Sequence, residues 1–189
     1  MVYICLANGF EEVEALAPAD ILRRAGVEVR LAARGGVATG NHGIAVTADC
    51  DIADMDAENA ELVILPGGRD GAHNLNDDPA IQALPAAVAK GVRVAAICAA
   101  PYVLGRLGLL EGKKAVCYPG FEDELRGATV IPDAAVVTDG LVTTGKGAGA
   151  ALDFGFELAA LLKGDDTAAK LRAGMFAPAM GAAGATIRV

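Results

Sequence analysis

A cysteine stands in this chain where an apolar strand-like run meets a helix-forming stretch. Residues 92–104 read VRVAAICAAPYVL, with Cys98 at the junction. A sharp strand-to-helix turn lifts its central side chain to the carboxyl edge of a sheet, and the first amides of the helix favour a thiolate. Ala95, Ala96, Ala99 and Ala100 are small enough to let such a strained turn pack. The chemistry this permits is attack by sulfur on an electrophilic carbon. The bland alternative is an inert core thiol, the commoner fate of a lone cysteine. The flanking glycines of a G-x-S-x-G elbow are absent.

Two further segments could serve that sulfur. Residues 62–75, LVILPGGRDGAHNL, end an apolar strand in Pro66-Gly67-Gly68, and glycines there let backbone N–H groups point into a site as an oxyanion hole. A plain loop is the simpler reading. Glu11, Glu12 and Glu14 open a helix-patterned stretch, where acidic residues ordinarily cap the helix or complement its dipole. Glu14 shares the helical period of Ala17-Pro18 and Ile21, so it is the one expected to point inward, where burial would raise its pKa and suit it to moving a proton. GKGAGA at 145–150 satisfies neither phosphate-loop nor dinucleotide spacing and reads as a tight turn. His42 and His73 sit in polar, loop-like contexts with no evident catalytic partner. Cys5, Cys50, Cys98 and Cys117 form no C-x-x-C pair, so no zinc site or other metal is expected.

The elements that must position these residues follow from hydropathy. Val2–Ala7, Leu62–Leu65 and Val92–Ile97 are continuously apolar, as strands covered on both faces are. Between them the pattern predicts helices over Val13–Ala25, with Pro18 kinking or dividing it, over Pro79–Lys90 behind an Asp77-Asp78 cap, and over Ala99–Leu110. Another strand is expected at Val27–Ala32 and a short one at Ala115–Cys117. A hairpin is expected around Asp139-Gly140, then helices over Ala151–Leu162 and Thr167–Ala173. The tail from Phe176 to Val189 gives no clear signal. This alternation predicts a three-layer α/β doubly wound sandwich with a mostly parallel sheet and ligands at the carboxyl ends of its strands.

With 189 residues, one domain spanning 1–189 is expected. Hydrophobic residues make up 53% and charged residues 21%, which excludes a disordered chain, and no run of about 18 apolar residues implies a membrane span. A formal charge of −8 with scattered basic residues argues against a nucleic-acid partner. The acidic N-terminal stretch lacks a leader pattern, so a cytoplasmic setting with free thiols is expected.

Taken in order, EEVEALAPADILRRAGVEV, LVILPGG, AAICAAPYVL and TTGKGAGAALDFGFELAALL resemble the ThiJ/PfpI superfamily, on the branch of the parkinsonism-associated protein deglycase. The resemblance covers nearly the whole chain. It implies a flavodoxin-like (class I glutamine amidotransferase-like) fold, a homodimer, no cofactor, and a reactive cysteine paired with a glutamate. Carried over by position, these fall on Cys98 and Glu14, with the amides of Gly67 and Gly68 facing the sulfur and protonated Glu14 lowering the thiol below its free value of about 8.5. Protease-like members have His after the cysteine; Ala99 stands here, which disfavours proteolysis. Many deglycase-branch members have His where this chain has Tyr118, and a phenol is a poor base at neutral pH. Where Arg is common in the family, this chain has His42. The expected function is a glutathione-independent glyoxalase or deglycase, of hydro-lyase or hydrolase type, acting on small α-oxoaldehydes such as methylglyoxal. The alternative is an oxidative-stress sensor or chaperone in which Cys98 oxidises.

Overall fold

The computed structural model describes residues 1–179, 181 and 183–189. Strand β1 (Val2–Leu6) leads into helix α1 (Glu12–Arg24), followed by β2 (Val29–Ala33) and a small hairpin of β3 (Val37–Thr39) and β4 (Ala45–Thr47). Next come β5 (Leu62–Leu65), α2 (Arg69–Asn76), α3 (Pro79–Gln82), α4 (Leu84–Ala89), β6 (Arg93–Ile97) and α5 (Pro101–Arg106). The second half holds β7 (Lys114–Ala115), β8 (Thr129–Val130), β9 (Ala134–Asp139), β10 (Val142–Gly145), α6 (Ala151–Lys163), α7 (Asp165–Gly174) and β11 (Ala185–Arg188).

One sheet runs in the order β2-β1-β5-β6-β10-β9-β11. Its first five strands are mutually parallel, β9 lies antiparallel to β10, and β11 is parallel to β9. Both faces are covered. Ile4, Ile64 and Ile97 pack with Ile21, Phe154 and Phe156 of α1 and α6, while Tyr3, Val63 and Val94 pack with Leu75, Leu84 and Tyr102. Double-sided burial removes any reason for apolar and polar residues to alternate, which is why the strands read as unbroken apolar runs. The chain moves outward from β1 to β2 and then returns to place β5 on the other flank of β1. That reversal opens a crevice beyond the carboxyl ends of β1 and β5, where α/β sheets hold ligands. No helix among the described residues is long and apolar enough to cross a membrane.

The expected three-layer architecture is present, and several element boundaries differ. Helix α1 runs unbroken through Pro18. The proline removes one internal hydrogen bond, and its buried ring packs where Gly155 lets α6 approach: a Cβ at 155 would stand 2.7 Å from Ile21 Cδ1. The single helix expected over 79–90 is two, because Pro85 at the start of α4 cannot donate into a continuous ladder. Helix α5 starts at Pro101 and spans only six residues, ending before Gly108 in a left-handed turn at φ +72°. The stretch after Gly68 forms α2, so His73 is helical. The tail contributes edge strand β11, whose Arg188 reaches the buried Glu157 carboxylate at 2.8 Å. Met180 and Ala182 of that tail lie outside the described residues.

Candidate active site

Three strand ends build the site. Beyond β1, Glu11 caps α1, its carboxylate accepting the Glu14 N–H at 2.8 Å, which leaves Glu14 one turn in and wholly buried. Beyond β5, Gly67 lies between that carboxyl and Cys98. A Cβ there would be 2.5 Å from Glu14 Oε2 and 2.6 Å from Cys98 Cβ, so only glycine lets them meet. Beyond β6, Cys98 still donates its N–H to Gly145 of β10 at 2.9 Å, then turns at φ +65°. That left-handed conformation costs an L-residue roughly 1–2 kcal/mol. It is the elbow expected from the sequence, built without flanking glycines.

The electrostatics depart from the sequence expectation in two ways. The Gly67 amide is not an oxyanion donor, because it donates to Glu14 Oε2 at 2.9 Å. Gly68 and Ala99 supply the amides that face the sulfur. Nor is the thiol lowered. Burial first, then the neighbouring Glu14 carboxylate, push Cys98 up to about 12, against the pull of those two amides. A six-residue helix starting three positions later adds little macrodipole. Burial raises Glu14 to about 7, offset in part by its contact with Cys98, while Glu11 adds a further rise and the Gly67 amide a further lowering. Glu14 Oε1 is buried with no hydrogen-bond partner of its own among the described residues. A carboxyl raised toward neutrality therefore adjoins a thiol whose ionisation burial opposes. The two titrate as a pair.

Cys98, Glu14, Gly68, Ala99 and Tyr118 line one cleft of about 310 Å³. Tyr118 is half exposed and tied by its N–H to the Cys98 carbonyl at 2.8 Å. Gly147 leaves room for its ring, since a Cβ there would be 3.3 Å from Tyr118 Cδ2. Cys117 is buried and belongs to a different cluster of core residues from the one Cys98 packs against. Cys5 is buried beside Met55, as a packing role requires.

Residues not singled out from sequence also face the cleft, namely Asn41, Arg69, Phe121 and Ala148, and so does Glu11, expected from sequence only as a helix cap or dipole partner. His42 joins them and has a partner after all. Its Nδ1 lies 2.8 Å from Glu12 Oε2, and its N–H donates to Glu12 Oε1 at 2.7 Å. Burial would raise Glu12, but the His42 ring and the amides of residues 42 and 44 outweigh it and hold the carboxyl below its usual range. Glu11, Glu12 and His42 bring potential metal-ligand atoms within 4.8 Å of one another. Both Glu12 oxygens already accept hydrogen bonds, and one Glu11 oxygen caps α1. The sequence signal for this cluster was the Glu11-Glu12 pair itself, but nothing local ties it to residue 42.

The sequence model of the DJ-1/PfpI family matches residues 1–161. The chain is 32% identical to protein dj-1beta of Drosophila melanogaster over 176 residues, covering 91% of this chain and 94% of that one. The crystal structure of Drosophila DJ-1beta superposes with a TM-score of 0.89 at 31% identity, over 94% of this chain and 97% of that one. A deglycase of Pyrococcus horikoshii is 36% identical over 141 residues, 74% of this chain and 85% of that protein. Oxidized DJ-1 of Toxoplasma gondii superposes with a TM-score of 0.86 at 33% identity, covering 93% of this chain and 97% of that one.

Proposed function

Because this chain belongs to the DJ-1/PfpI family, we propose that it is a cysteine-dependent enzyme that converts small α-oxoaldehydes such as methylglyoxal into hydroxy acids without glutathione. Adducts of those aldehydes with thiols and amines would be processed by the same steps, a deglycase reading supported by the Pyrococcus relative's name. The observation that carries the proposal is the Cys98–Glu14 pair. One proton-exchanging carboxyl of pKa about 7 stands against one thiol, at the carboxyl edge of the sheet, in a cleft of about 310 Å³ that suits a few-carbon substrate.

In this mechanism the thiol proton passes to the Glu14 carboxylate as sulfur bonds to the aldehyde carbon, and Glu14 returns it to the new oxygen to give a hemithioacetal. The former aldehyde C–H then loses its proton to Glu14, giving an enediolate across the two oxygenated carbons, in which the remaining hydroxyl proton passes to the second oxygen. Protonation of the second carbon yields a thioester. Water hydrolyses it, releasing hydroxy acid and thiol. One carbon is oxidised and its neighbour reduced, so no external redox partner is required. Production of lactate from methylglyoxal without glutathione, abolished in Cys98→Ser, tests the proposal; turnover unchanged in that variant overturns it.

A second reading draws on the two amides that face a partly exposed sulfur. Gly68 and Ala99 could hold the oxygens of a sulfinate formed by two equivalents of peroxide. Selective addition of two oxygens to Cys98, with no aldehyde turnover, would favour it. The family resemblance also implies a homodimer, which sedimentation at the mass of two chains would support and a monomer would exclude.

A further inference from the structure

Glu12 and His42 form a carboxylate–imidazole pair at this cleft that the Cys98–Glu14 chemistry leaves idle. Glu12 is only 4% exposed although charged, whereas the side chain of the imidazole it holds is 64% exposed. The loop between β3 and β4 is shaped around that carboxyl. Asn41 N–H donates to the Phe10 carbonyl at 2.7 Å, Gly40 N–H to Ile44 at 2.9 Å, and Gly43 N–H to Gly40 at 3.1 Å. A Cβ on residue 40 would run into the Glu12 carboxyl, so the loop closes there only with glycine. The amides of residues 42 and 44 alone could satisfy Glu12 Oε1. The ring bond at Oε2 does something more, because it fixes the imidazole with Nδ1 inward and leaves Nε2 as its free atom beside a cleft shared with Cys98 and Glu14.

We propose that Glu12–His42 is a second proton-transfer pair of this cleft, with His42 Nε2 serving the oxygens of the hemithioacetal as it isomerises to the thioester while Glu14 serves its carbons. The inference rests on the glyoxalase reading above. As Glu14 removes the proton from the hemithioacetal carbon, His42 Nε2–H protonates the neighbouring carbonyl oxygen, giving a neutral enediol. When Glu14 delivers its proton to the second carbon, the Nε2 lone pair takes the proton from the first oxygen as the thioester carbonyl forms. Each group ends as it began. The bond to Glu12 raises the His42 pKa, so the ring is available as a donor near neutrality. The other titratable or charged groups around the cleft are Glu11, Glu12 and Glu14 from the start of α1, Arg69 from α2, Cys98, and Tyr118.

The test compares wild type, His42→Ala and His42→Gln on methylglyoxal, in chelator-treated buffer, with Cys98 alkylation by iodoacetamide measured in parallel. Both variants should lose about 100-fold in kcat, the scale of a general acid–base group, with alkylation rates within about two-fold of wild type. Added imidazole should restore part of kcat to His42→Ala, which a merely structural tie would not allow. A kcat within about two-fold of wild type, or a loss that imidazole does not rescue, overturns the inference. Failure of wild type to make lactate while Cys98 still alkylates refutes the glyoxalase reading instead, and the inference with it.

Discussion

Glu14→Gln should make the protein less reactive and more stable, and the stability gain should depend on pH. The folded-state pKa of Glu14 is raised from 4.5 to about 7. Between those values the folded chain holds a proton that the unfolded chain has released, so stability falls as pH rises through the window and reaches its lowered level above 7. At 1.36 kcal/mol per unit, the ionised carboxylate costs roughly 3 kcal/mol at pH 8 and almost nothing at pH 4. Glutamine mimics the protonated carboxyl and avoids that cost. For a chain of this size, the variant should melt roughly 6–12 °C higher than wild type at pH 8 and within about 2 °C of it at pH 4. Comparing one pair of proteins at two pH values cancels the other titrating groups. Alkylation of Cys98 supplies the second readout. In wild type it should rise with a midpoint near 7 as Glu14 ionises, because the carboxylate takes the thiol proton while sulfur attacks; in Glu14→Gln that base is gone, the step should vanish and the rate should still be climbing at about pH 9. A melting difference equal at both pH values, or a wild-type midpoint near that of a free thiol at about 8.5, would refute the reasoning.

Other consequences follow from single contacts. Gly67→Ala places a methyl 2.5 Å from Glu14 Oε2 and 2.6 Å from Cys98 Cβ, so it should cost about 1–3 kcal/mol in urea unfolding and about 100-fold in kcat through misplacement of the pair. Both variants of a paired comparison, Cys98→Gly and Cys98→Ala, are inactive on the proposed mechanism, but glycine accepts φ +65° without strain and should melt about 2–4 °C above alanine. Arg188→Ala leaves the buried Glu157 carboxylate with the Thr138 hydroxyl, at 2.9 Å, as its one side-chain partner among the described residues, and should cost about 2 kcal/mol by chemical denaturation. An unchanged midpoint would show that β11 does not fasten the sheet edge.

What the sequence discloses here is what depends on near neighbours. Cys98 announces its elbow because the strand, the turn and the small flanking alanines are contiguous. Glu14 announces its burial because helical periodicity puts it in line with Pro18 and Ile21. Long-range pairing is silent in that code. Nothing local tells the Gly67 amide to choose Glu14 over a substrate oxygen, although the two are 53 positions apart and 2.9 Å distant. Nor does GNHG at 40–43 say that its amide and imidazole will close on Glu12, 30 residues upstream. The tail was illegible for another reason: β11 is four residues long, lies at an edge, and is held by its ladder to β9 and by the Arg188 side chain, with Ile187 alone packing on an apolar cluster, so it carries no apolar run. Pro18 misled by propensity, since the lost hydrogen bond is outweighed by tertiary packing on α6.

Glu12 and Glu14 show why residue type alone could not assign their chemistry. They occupy the same first turn of α1, both essentially out of contact with solvent, yet one is held below the usual carboxyl range and the other is raised to about 7. Burial opposes ionisation at both positions. At Glu12 the hairpin loop returns three hydrogen-bond donors, and the carboxylate stays charged. At Glu14 one amide and a thiol face the group, too few donors to offset burial, and the proton becomes exchangeable near neutrality. Neighbouring carboxyls driven in opposite directions are the pattern by which one fold separates a proton carrier from a fixed charge that orients a partner. The separation is made by the strand ends and the hairpin that α1 meets, not by α1 itself. Transplanting residues 11–14 into another helix would therefore carry over neither behaviour.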